Sequence, residues 1–595
     1  MIGLKYGRTV ASDVSTETRG RLVSPAGARR RFSLPLGADI LTAAVVFLIL
    51  YLIVRIGTSS DVPLPPPNNE IDLNPWLLPG YSLASLLRMF IGLALSYVFA
   101  LVFGYWAARN AKAGSILVPT LDILQSVPVL GFLSITVTGF LALFPGSQLG
   151  LECAAIFAIF TAQAWNLAFS MYHSSLTLPK EFDEMSRLFR LTAWMRFWRI
   201  EVPNAAIGLV WNGMMSMGGA WFFLTASETI SVAGNDYALP GIGSYAGQAL
   251  KQGDVGDILW AIAAMIILIV AVNYLFWRPL VAWAERFRNE QSAPEATPTS
   301  SVLNVLHTAR WPRRVGAMRR AGADRLGRGM RFLGSDARPI RSGTSTGRRV
   351  WDFVFWLIVA TILVWGIWSL LDYVMDGQGP GVFLEPFGLA VFTMLRVFAV
   401  LVLSTVIWVP IGVKIGMNPK LSRIAQPLVQ IFASFPANLL FPLVTSFLVW
   451  SGISLNIGGI FLMMLGAQWY ILFNVIAAAQ GIPSDLREAM ADMRVGSWLW
   501  WKRFALPAVY PGYVTGGITA SGGAWNASIV AEVVSFGSTT LTAAGIGAYI
   551  SLATAAGNQR EVLLGVIVMS IFVIAMNRLI WKRFYRLAEE RYSID

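Results

Sequence analysis

The stretch Met217–Glu228, MGGAWFFLTASE, occurs a second time in this chain as Ser521–Glu532, SGGAWNASIVAE. The two stretches lie 304 positions apart, and at this spacing the sequence from Pro179 to Arg286 aligns with Pro483 to Glu590 without a gap. Duplication of so long a block predicts two units of one fold. Many membrane transporters build a path between two such halves.

Upstream of this block the copies still match, at a spacing of 308. The motif Ser126-Val-Pro128 corresponds there to Ser434-Phe-Pro436. The first copy therefore carries four extra residues between this motif and the longer block.

Composition indicates a membrane protein. Hydrophobic residues make up 55% of the chain and charged residues 13%, and the mean hydropathy is +0.60, so there is too little polar surface to cover a soluble globule. Apolar runs of roughly 20 residues, the length that spans hydrocarbon, predict six spans per copy, twelve in all. They cover about 39–57, 82–108, 120–143, 151–172, 205–227 and 258–280, and then 351–373, 388–416, 428–450, 453–477, 508–531 and 561–582.

The distribution of arginine and lysine predicts the orientation, because cytoplasmic loops retain positive charge. We expect a basic cytoplasmic segment at 1–38, a first transmembrane unit at 39–286, a largely disordered basic linker at 287–350 and a second transmembrane unit at 351–595. Both termini then face the cytoplasm. The net charge of +13 is explained by cytoplasmic flanks held against anionic lipid, so it requires no nucleic-acid partner.

A charged loop joins the fourth and fifth spans of each copy on this cytoplasmic side. Its repeated residues are Glu184, Arg190, Trp194, Arg199 and Pro203 in the first copy and Glu488, Arg494, Trp498, Arg503 and Pro507 in the second. We expect Pro179 and Pro483 to open a short helix in each loop, and Pro203 and Pro507 to end the element before the next span. Such a helix could lie in the membrane interface or dock into a protein groove. The repetition of the same residues favours docking, and we call the two loops the docking loops.

The loop resembles the cytoplasmic loop by which permease subunits of ABC importers dock onto their ATPase subunits. The family pattern is Glu-Ala, a small residue, three residues and Gly, followed about a dozen residues later by an apolar residue and Pro. Glu488-Ala489 and Leu506-Pro507 match it, and Glu184 and Val202-Pro203 match it more loosely. Arg190 and Arg494 stand where the family usually has Gly. The resemblance implies an ATPase-coupling role for this loop in each copy, with Arg187 included in the first.

Further motifs are similar to the nitrate, taurine, sulfonate and bicarbonate branch of these permeases. They are the paired Ser-x-Pro motifs, Trp221 with Glu228, Trp525 with Glu532, Gly241-Ile-Gly243 and Gly545-Ile-Gly547. The resemblance implies an all-α protein with two tandem type I transmembrane units related by a pseudo-twofold axis. It also implies two separate ABC ATPase subunits that carry ATP and Mg, an extracytoplasmic solute-binding protein, and import of a small anion across a bacterial inner membrane.

Polar residues near the outer ends of the fifth spans are candidates for the translocation path or its gate. Glu228 and Glu532 either line the path or accept hydrogen bonds from the following glycine-rich loop, and we favour the second interpretation because a bare carboxylate repels anions. Gly218-Gly219 and Gly522-Gly523 are expected to meet at the pseudo-twofold axis. The other candidates are Trp221, Ser227, Trp525, Asn526, Ser528, Ser126 and Ser434. Arg88 and Arg396 are expected either to extend to lipid headgroups or to attract an anion.

Several functions are excluded or disfavoured. No Gly-x-x-x-x-Gly-Lys-Ser/Thr phosphate loop occurs, so we expect no ATPase activity, no cofactor and no enzyme in this chain. Cys153 is the only cysteine, and His173 and His307 have no evident partners, which argues against a metal site. The rival interpretation is a secondary transporter of the major facilitator type, but the loop Arg109–Ser115 lacks the acidic residue that facilitators keep after their second span.

Overall fold

The computed structural model describes residues 62–189, 191–232, 235–287, 346–536 and 539–591. This part of the chain is predominantly helical and contains two short β-hairpins. The predicted segment 1–38, the predicted span 39–57 and nearly all of the linker 287–350 lie outside the described residues.

The first half runs from Pro75 to Phe287. Its helices and strands are α1 Leu78–Phe99, α2 Tyr105–Arg109, α3 Ala111–Ser126, α4 Val129–Leu143, α5 Leu149–Leu176, α6 Lys180–Leu188, α7 Ala193–Arg196, α8 Val202–Ser227, β1 Thr229–Val232, β2 Asn235–Ala238, α9 Ile242–Gln252, α10 Val255–Val272 and α11 Arg278–Ala284.

The second half begins with one further helix, α12, and then repeats this order, with α13 in the place of α1 and α2. Its elements are α12 Thr346–Met375, α13 Leu384–Gly416, α14 Pro419–Ser434, α15 Phe441–Ser451, α16 Leu455–Gln480, α17 Ser484–Asp492, α18 Ser497–Trp500, α19 Leu506–Ala531, β3 Val533–Phe536, β4 Thr539–Thr542, α20 Ile546–Ala555, α21 Gln559–Met576 and α22 Lys582–Arg591.

Three long helices form the core of each half: α1, α5 and α8 in the first, and α13, α16 and α19 in the second. Paired glycines let the first two helices of each set approach closely. A Cβ atom on Gly104, in the π-helical turn Ala100–Gly104 that joins α1 to α2, would lie 2.6 Å from the carbonyl oxygen of Ala168. One on the corresponding Gly412 would lie 2.8 Å from the side chain of Val475. Such small residues let helix backbones pack tightly in a membrane, where dispersion contacts replace the hydrophobic effect between helices.

The third predicted span of each half is bent, and our prediction of one continuous span was wrong in this respect. The axes of α3 and α4 differ by 102° and those of α14 and α15 by 83°. The break falls at the repeated Ser-x-Pro motif. The residues before Pro128 and Pro436 have ψ values of 125° and 127°, because a proline ring excludes the helical conformation from the residue before it.

Eight of the described helical segments are long and apolar enough to cross a membrane, or up to ten if each bent pair counts as one span. The predicted span 508–531 is the helix α19, which is not among the eight. Its sequence is rich in Gly, Ala, Ser and Thr, which lowers its mean hydropathy. Many of its residues are buried against other elements.

Pro203 and Pro507 do not end an element, contrary to our expectation. Each lies in the first turn of a long helix, α8 or α19, that continues directly from the docking loop through a π-helical turn at Phe197–Glu201 or Trp501–Ala505. Because each proline lies within a continuous helical segment, its ring and its missing N–H group interrupt the helical hydrogen bonds, and the preceding π-helical turn accommodates them. Each docking loop is therefore joined rigidly to a long core helix.

The two halves pack against each other. The helix α8 contacts α14, α4 contacts α21, and each hairpin contacts the helix that follows the other hairpin. Both hairpins consequently lie at one end of the molecule, which we call the hairpin face. The short helices α6 and α17 lie at the opposite ends of α8 and α19, which we call the docking face.

Candidate functional site

A buried ion cluster lies at the hairpin-face end of the first half. Arg88 on α1 binds Glu152 on α5 through two hydrogen bonds of 2.6 and 2.7 Å, and it donates another of 2.8 Å to Glu228. All three side chains are at most 7% exposed. A guanidinium held by two carboxylates satisfies its planar donors in a fixed geometry. Arg88, Glu152 and Glu228 form what we call the first ion cluster.

The first ion cluster also holds the loop that follows the β1–β2 hairpin. Glu228 directly follows the last residue of α8, and its Oε2 accepts a 2.7 Å bond from the N–H of Gly243. Its Oε1 accepts from Ser85, and Ser85 in turn accepts from the N–H of Ile242. A carboxylate is favoured there because the N–H groups at the start of α9 are otherwise unpaired.

Glycine is required where the loop passes the carboxylate. A Cβ atom on Gly241 would lie 2.3 Å from the carboxyl carbon of Glu228. The corresponding atom on Gly545 would lie 2.4 Å from that of Glu532. Both distances are far below van der Waals contact, which explains the first glycine of each Gly-Ile-Gly motif in physical terms.

The second half contains the corresponding cluster with one charge fewer. Arg396 donates a 2.7 Å bond to Glu532, which also accepts from Thr393 and from the N–H of Ala548. Asn456 stands at the position of Glu152, and it accepts bonds from Arg396 at its backbone and side-chain oxygens. Arg396, Asn456 and Glu532 form the second ion cluster. It is neutral overall, whereas the first carries one net negative charge when all its groups are ionised.

Arg88 and Arg396 were expected either to extend to headgroups or to attract an anion, but both side chains are buried and paired with glutamates. The carboxylates of Glu228 and Glu532 accept bonds from the following loops, but the sequence reasoning missed the arginines as their partners. Two signals in the repeat pointed to them. Arg88 and Arg396 correspond at the spacing of 308, and so do Ser85 and Thr393.

Three small cavities lie between the halves, with volumes of about 10, 30 and 40 Å³. Gly218 lines all three, Ser434 lines two, and the largest is also bordered by Tyr470 and Asn526. The described residues that line them include no charged side chain. Cavities of this size hold a few water molecules at most, so they leave no open passage between the described parts of the two halves.

The paired glycines of α8 and α19 do not meet, contrary to our expectation. A Cβ atom on Gly218 would lie 3.0 Å from Ser434, and one on Gly219 would lie 2.8 Å from the hydroxyl of Tyr470. Gly522 faces open space. These glycines therefore border the central cavities and let residues of the other half approach α8.

The remaining candidates for the path occupy different environments. Trp221 lines the smallest cavity, and Asn526 joins the halves by accepting a 3.0 Å bond from the N–H of Val129. Ser126 accepts a bond of 3.4 Å from Asn577 of the other half. Ser227, Trp525 and Ser528 are fully buried and do not border the three cavities. Tyr470 was missed because nothing in its sequence context marks it.

The docking loop of the first half presents an exposed helix. Glu184 is exposed on α6, and Leu188 and Phe189 at its end are 81% and 66% exposed. Trp194 packs against Trp198 with ring centroids 5.6 Å apart, while Arg199 is exposed. Arg190 lies outside the described residues, as does the side chain of Arg187.

An ion cluster ties this loop to α2, which continues the first core helix of its half. Glu201 is buried and accepts bonds of 2.6 Å from Arg109 and 2.9 Å from Arg196. Arg196 also binds Asp183 on α6. Through these bonds α6, the π-helical turn and the end of α2 form one body.

The second docking loop has the same shape without that cluster. Glu488, Trp498 and Arg503 are exposed, and Ala489 is half-buried on α17. Arg494 has a φ of +46°, the left-handed conformation that glycine adopts most easily. The chain thus makes the turn with an arginine where the family pattern has glycine.

A family model described as "Binding-protein-dependent transport system inner membrane component" matches residues 100–283 and 408–593, together more than half of the chain. A nitrate import permease protein of Leptolyngbya laminosa is 24% identical over 248 residues, which cover 37% of this chain and 83% of that protein. A bicarbonate transport system permease protein of Synechococcus elongatus is 26% identical over 184 residues, which cover 30% of this chain and 61% of that protein.

Proposed function

This chain belongs to the binding-protein-dependent transport system inner membrane components, and we propose that it forms both membrane halves of one ATP-driven importer. The family match to each half identifies a permease, and the duplication supplies two permease units in one polypeptide. In our proposal each half docks one separate ATPase subunit. The hairpin face is turned to the outside, and the docking face and both termini are turned to the cytoplasm.

The observation that carries the proposal is the repeated geometry of the docking loops. Each half exposes a short helix, α6 or α17, at the docking face and connects it through a π-helical turn to a core helix. The exposed Glu184 and Glu488 occupy corresponding positions on the two helices. An exposed helix with apolar neighbours such as Phe189 or Met493 suits a groove on a soluble partner.

The core helices provide a physical route for coupling. The segment Ala193–Ser227 is helical throughout, begins beside the docking helix, borders the central cavities and ends at Glu228. A displacement imposed on α6 therefore moves a rigid element that reaches the first ion cluster. ATP and Mg, bound by the partner subunits, would supply the energy for this displacement, and the chain's own residues would transmit it.

The proposed substrate is a small anion, by analogy with the nitrate and bicarbonate named for the two relatives. The central cavities support this proposal through neutral donors, which include Ser434, Tyr470 and Asn526. Neutral hydrogen-bond donors can replace part of the hydration shell of an anion without holding it as strongly as a buried cation would.

Charge reversal on the docking helices tests the proposal. We expect the double variant Glu184→Lys and Glu488→Lys to lose ATP-driven uptake in membrane vesicles that contain the chain, its ATPase and its binding protein. Unfolding temperature and membrane insertion should be unchanged, because both side chains are exposed. The matched control is Glu181→Lys with Asp485→Lys, which reverses exposed charges at the starts of the same helices.

Equal uptake by the double variant and the wild type would contradict the docking role. Uptake by the purified chain without any ATPase subunit would instead favour a secondary transporter. To identify the substrate, nitrate, bicarbonate and a sulfonate are compared for their ability, with the binding protein, to stimulate ATP hydrolysis.

A further inference from the structure

The two hairpins differ in what covers their outer strands. In the first half an extended segment lies along β2. The N–H of Asn68 donates a 2.7 Å bond to the carbonyl of Asp236, and the side-chain oxygen of Asn68 accepts a 3.1 Å bond from the N–H of Asp236. The side-chain amide of Asn69 makes bonds of 2.8 and 2.9 Å with the carbonyl and N–H of Ala238. The outward-facing backbone groups of both β2 residues are thus satisfied by their own chain.

The four extra residues of the first copy explain why this segment is held there. Leu143 at the end of α4 corresponds to Ser451 at the spacing of 308, whereas Leu151 corresponds to Leu455 at 304, so the extra residues fall in the loop before α5. That loop binds the extended segment. The N–H of Leu64 donates a 2.9 Å bond to Gly146, and the N–H of Gln148 donates a 3.0 Å bond to Val62.

The second hairpin has the same register but no such cover. Thr540 and Thr542 pair with Ser535 and Val533, as Asp236 and Ala238 pair with Ser231 and Thr229 in the first hairpin. Their backbone N–H and C=O groups therefore point away from β3. Within the described ranges no residue bonds to these groups, and both side chains are exposed. A row of unpaired strand groups is a template for an added strand.

A hollow adjoins this free edge. It has a volume of about 360 Å³ and begins at Ala544, two residues after Thr542. The hollow lies against the second ion cluster, and its other lining residues are Phe392, Leu395, Arg396, Asn456 and Ile460. The free edge therefore lies beside a recess that could receive side chains of an added segment, the combination by which extended peptides gain both affinity and specificity.

The undescribed linker joins the structure far from this edge. The stretch 288–345 begins after Phe287 and ends before Thr346, at the ends of α11 and α12 that lie away from the hairpins. The other end of α12 is at the hairpin face, where Arg560 donates to the carbonyls of Val374 and Met375. The linker is therefore remote from the free edge, and the occupant that we consider is another protein at the hairpin face. The description of the matching family, a binding-protein-dependent transport system, points to a binding protein as this partner.

We infer that the free edge of β4 is a docking site at which the solute-binding protein adds an extended segment to the β3–β4 hairpin. This inference rests on the proposed function, which places the hairpin face outside. The covered β2 edge shows the chemistry that such a segment would use: backbone groups and a side-chain amide paired with the strand. Since only one of the two hairpins has an uncovered outer edge, the partner binds the pseudo-symmetric pair of halves in a single orientation.

The substitution Thr542→Pro tests strand addition, with Thr542→Ala as the matched control. Proline removes the outward N–H group and is tolerated at a strand edge, whereas alanine removes only the side chain. The readout is ATP hydrolysis by the reconstituted complex, titrated with the solute-binding protein that stimulates the wild type. We expect Thr542→Pro to need at least about tenfold more binding protein for half-maximal stimulation, since the loss of one strand bond and its neighbours removes roughly 1.4 kcal/mol. Thr542→Ala should match the wild type, and hydrolysis without binding protein should be equal in all three.

A labelling experiment covers the case in which Thr542→Pro fails to assemble. In a Cys153→Ser background, which removes the only native cysteine, Thr540→Cys should react with a maleimide more slowly when binding protein is present. Equal responses of Thr542→Pro and Thr542→Ala, or unchanged labelling of Thr540→Cys, would overturn strand addition. A Thr542→Pro variant that changes the number of chains per particle would also overturn it, by assigning the edge to a second copy. Absence of stimulation in the wild type would overturn the proposed function itself.

Discussion

At the residue scale, the ion clusters show how a polytopic protein keeps charges far from water. Arg88 and Arg396 are each buried in the three-helix core of their half. The positive charge of each is compensated by a glutamate at the end of a core helix. The arrangement is costly to build and also costly to break, because removing one partner leaves an uncompensated buried charge. The clusters therefore hold the hairpin loops in one position relative to three helices.

The two clusters predict unequal costs for the same substitution. Arg88→Ala leaves two buried carboxylates, Glu152 and Glu228, whereas Arg396→Ala leaves only Glu532 beside the neutral Asn456. We expect both variants to be destabilised by about 3–5 kcal/mol, with Arg88→Ala the less stable of the two. Thermal unfolding of the purified proteins in one detergent measures the order.

A matched control separates charge from packing. Glu152→Asn gives the first cluster the residue that the second already has, and Arg88 keeps a partner in Glu228. We expect this variant to unfold at a higher temperature than Arg88→Ala. Equal stability of Arg88→Ala and Arg396→Ala would show that the second carboxylate is not a significant charge in the folded protein.

At the element scale, the docking turn of the second half is made under strain. Arg494 has a φ of +46°, and a non-glycine residue in this conformation costs about 1 kcal/mol or more. Arg494→Gly removes that cost but adds the entropy of glycine, about 0.5–1 kcal/mol. We therefore expect Arg494→Gly to leave the unfolding temperature nearly unchanged, and Arg494→Val to lower it because a branched side chain fits this conformation poorly.

The turn should also affect coupling, since it sets the angle between α17 and the following core helix. Uptake should be retained in Arg494→Gly and reduced in Arg494→Val, as measured in the same vesicles. If Arg494→Val transports as well as the wild type, the left-handed turn does not position the docking helix.

The elements also show what the sequence could predict. Repetition identified α8 and α19 with their terminal glutamates, because both the residues and their spacing recur. The bend between α3 and α4 was missed, because hydropathy continues across Val127 and Pro128 and only the proline marks the break. The left-handed turn at Arg494 could be suspected only from the glycine in the family pattern, since arginine itself carries no such signal.

At the scale of the whole molecule, asymmetry was harder to predict than symmetry. The shift from 308 to 304 revealed four extra residues, but their role appeared only when Gly146 was seen to bind the segment that covers β2. The repeat predicted the two tandem units. It could not predict the contacts between them, because bonds such as those of Asn526 with Val129 and of Gln559 with Thr138 join residues about 400 positions apart and leave no local sequence pattern.

The contacts between the halves predict that the covalent connection is dispensable for assembly. If the chain is cut within 288–345 and the two pieces are expressed together, we expect them to co-purify through a tag on the first piece. The packing of α8 on α14 and α4 on α21 remains, as do the hydrogen bonds of Asn526 and of Asn438 with Thr225.

A double variant tests whether these polar contacts hold the halves together. Asn438→Ala with Asn526→Ala removes two cross-half bonds, each worth about 0.5–1.5 kcal/mol, so the cut protein should dissociate at roughly tenfold higher concentration. In the uncut chain the same substitutions should leave assembly intact, because the connection keeps the halves at a high effective concentration. Pieces that purify separately even without the substitutions would show that the linker, rather than the interface, holds the two halves together.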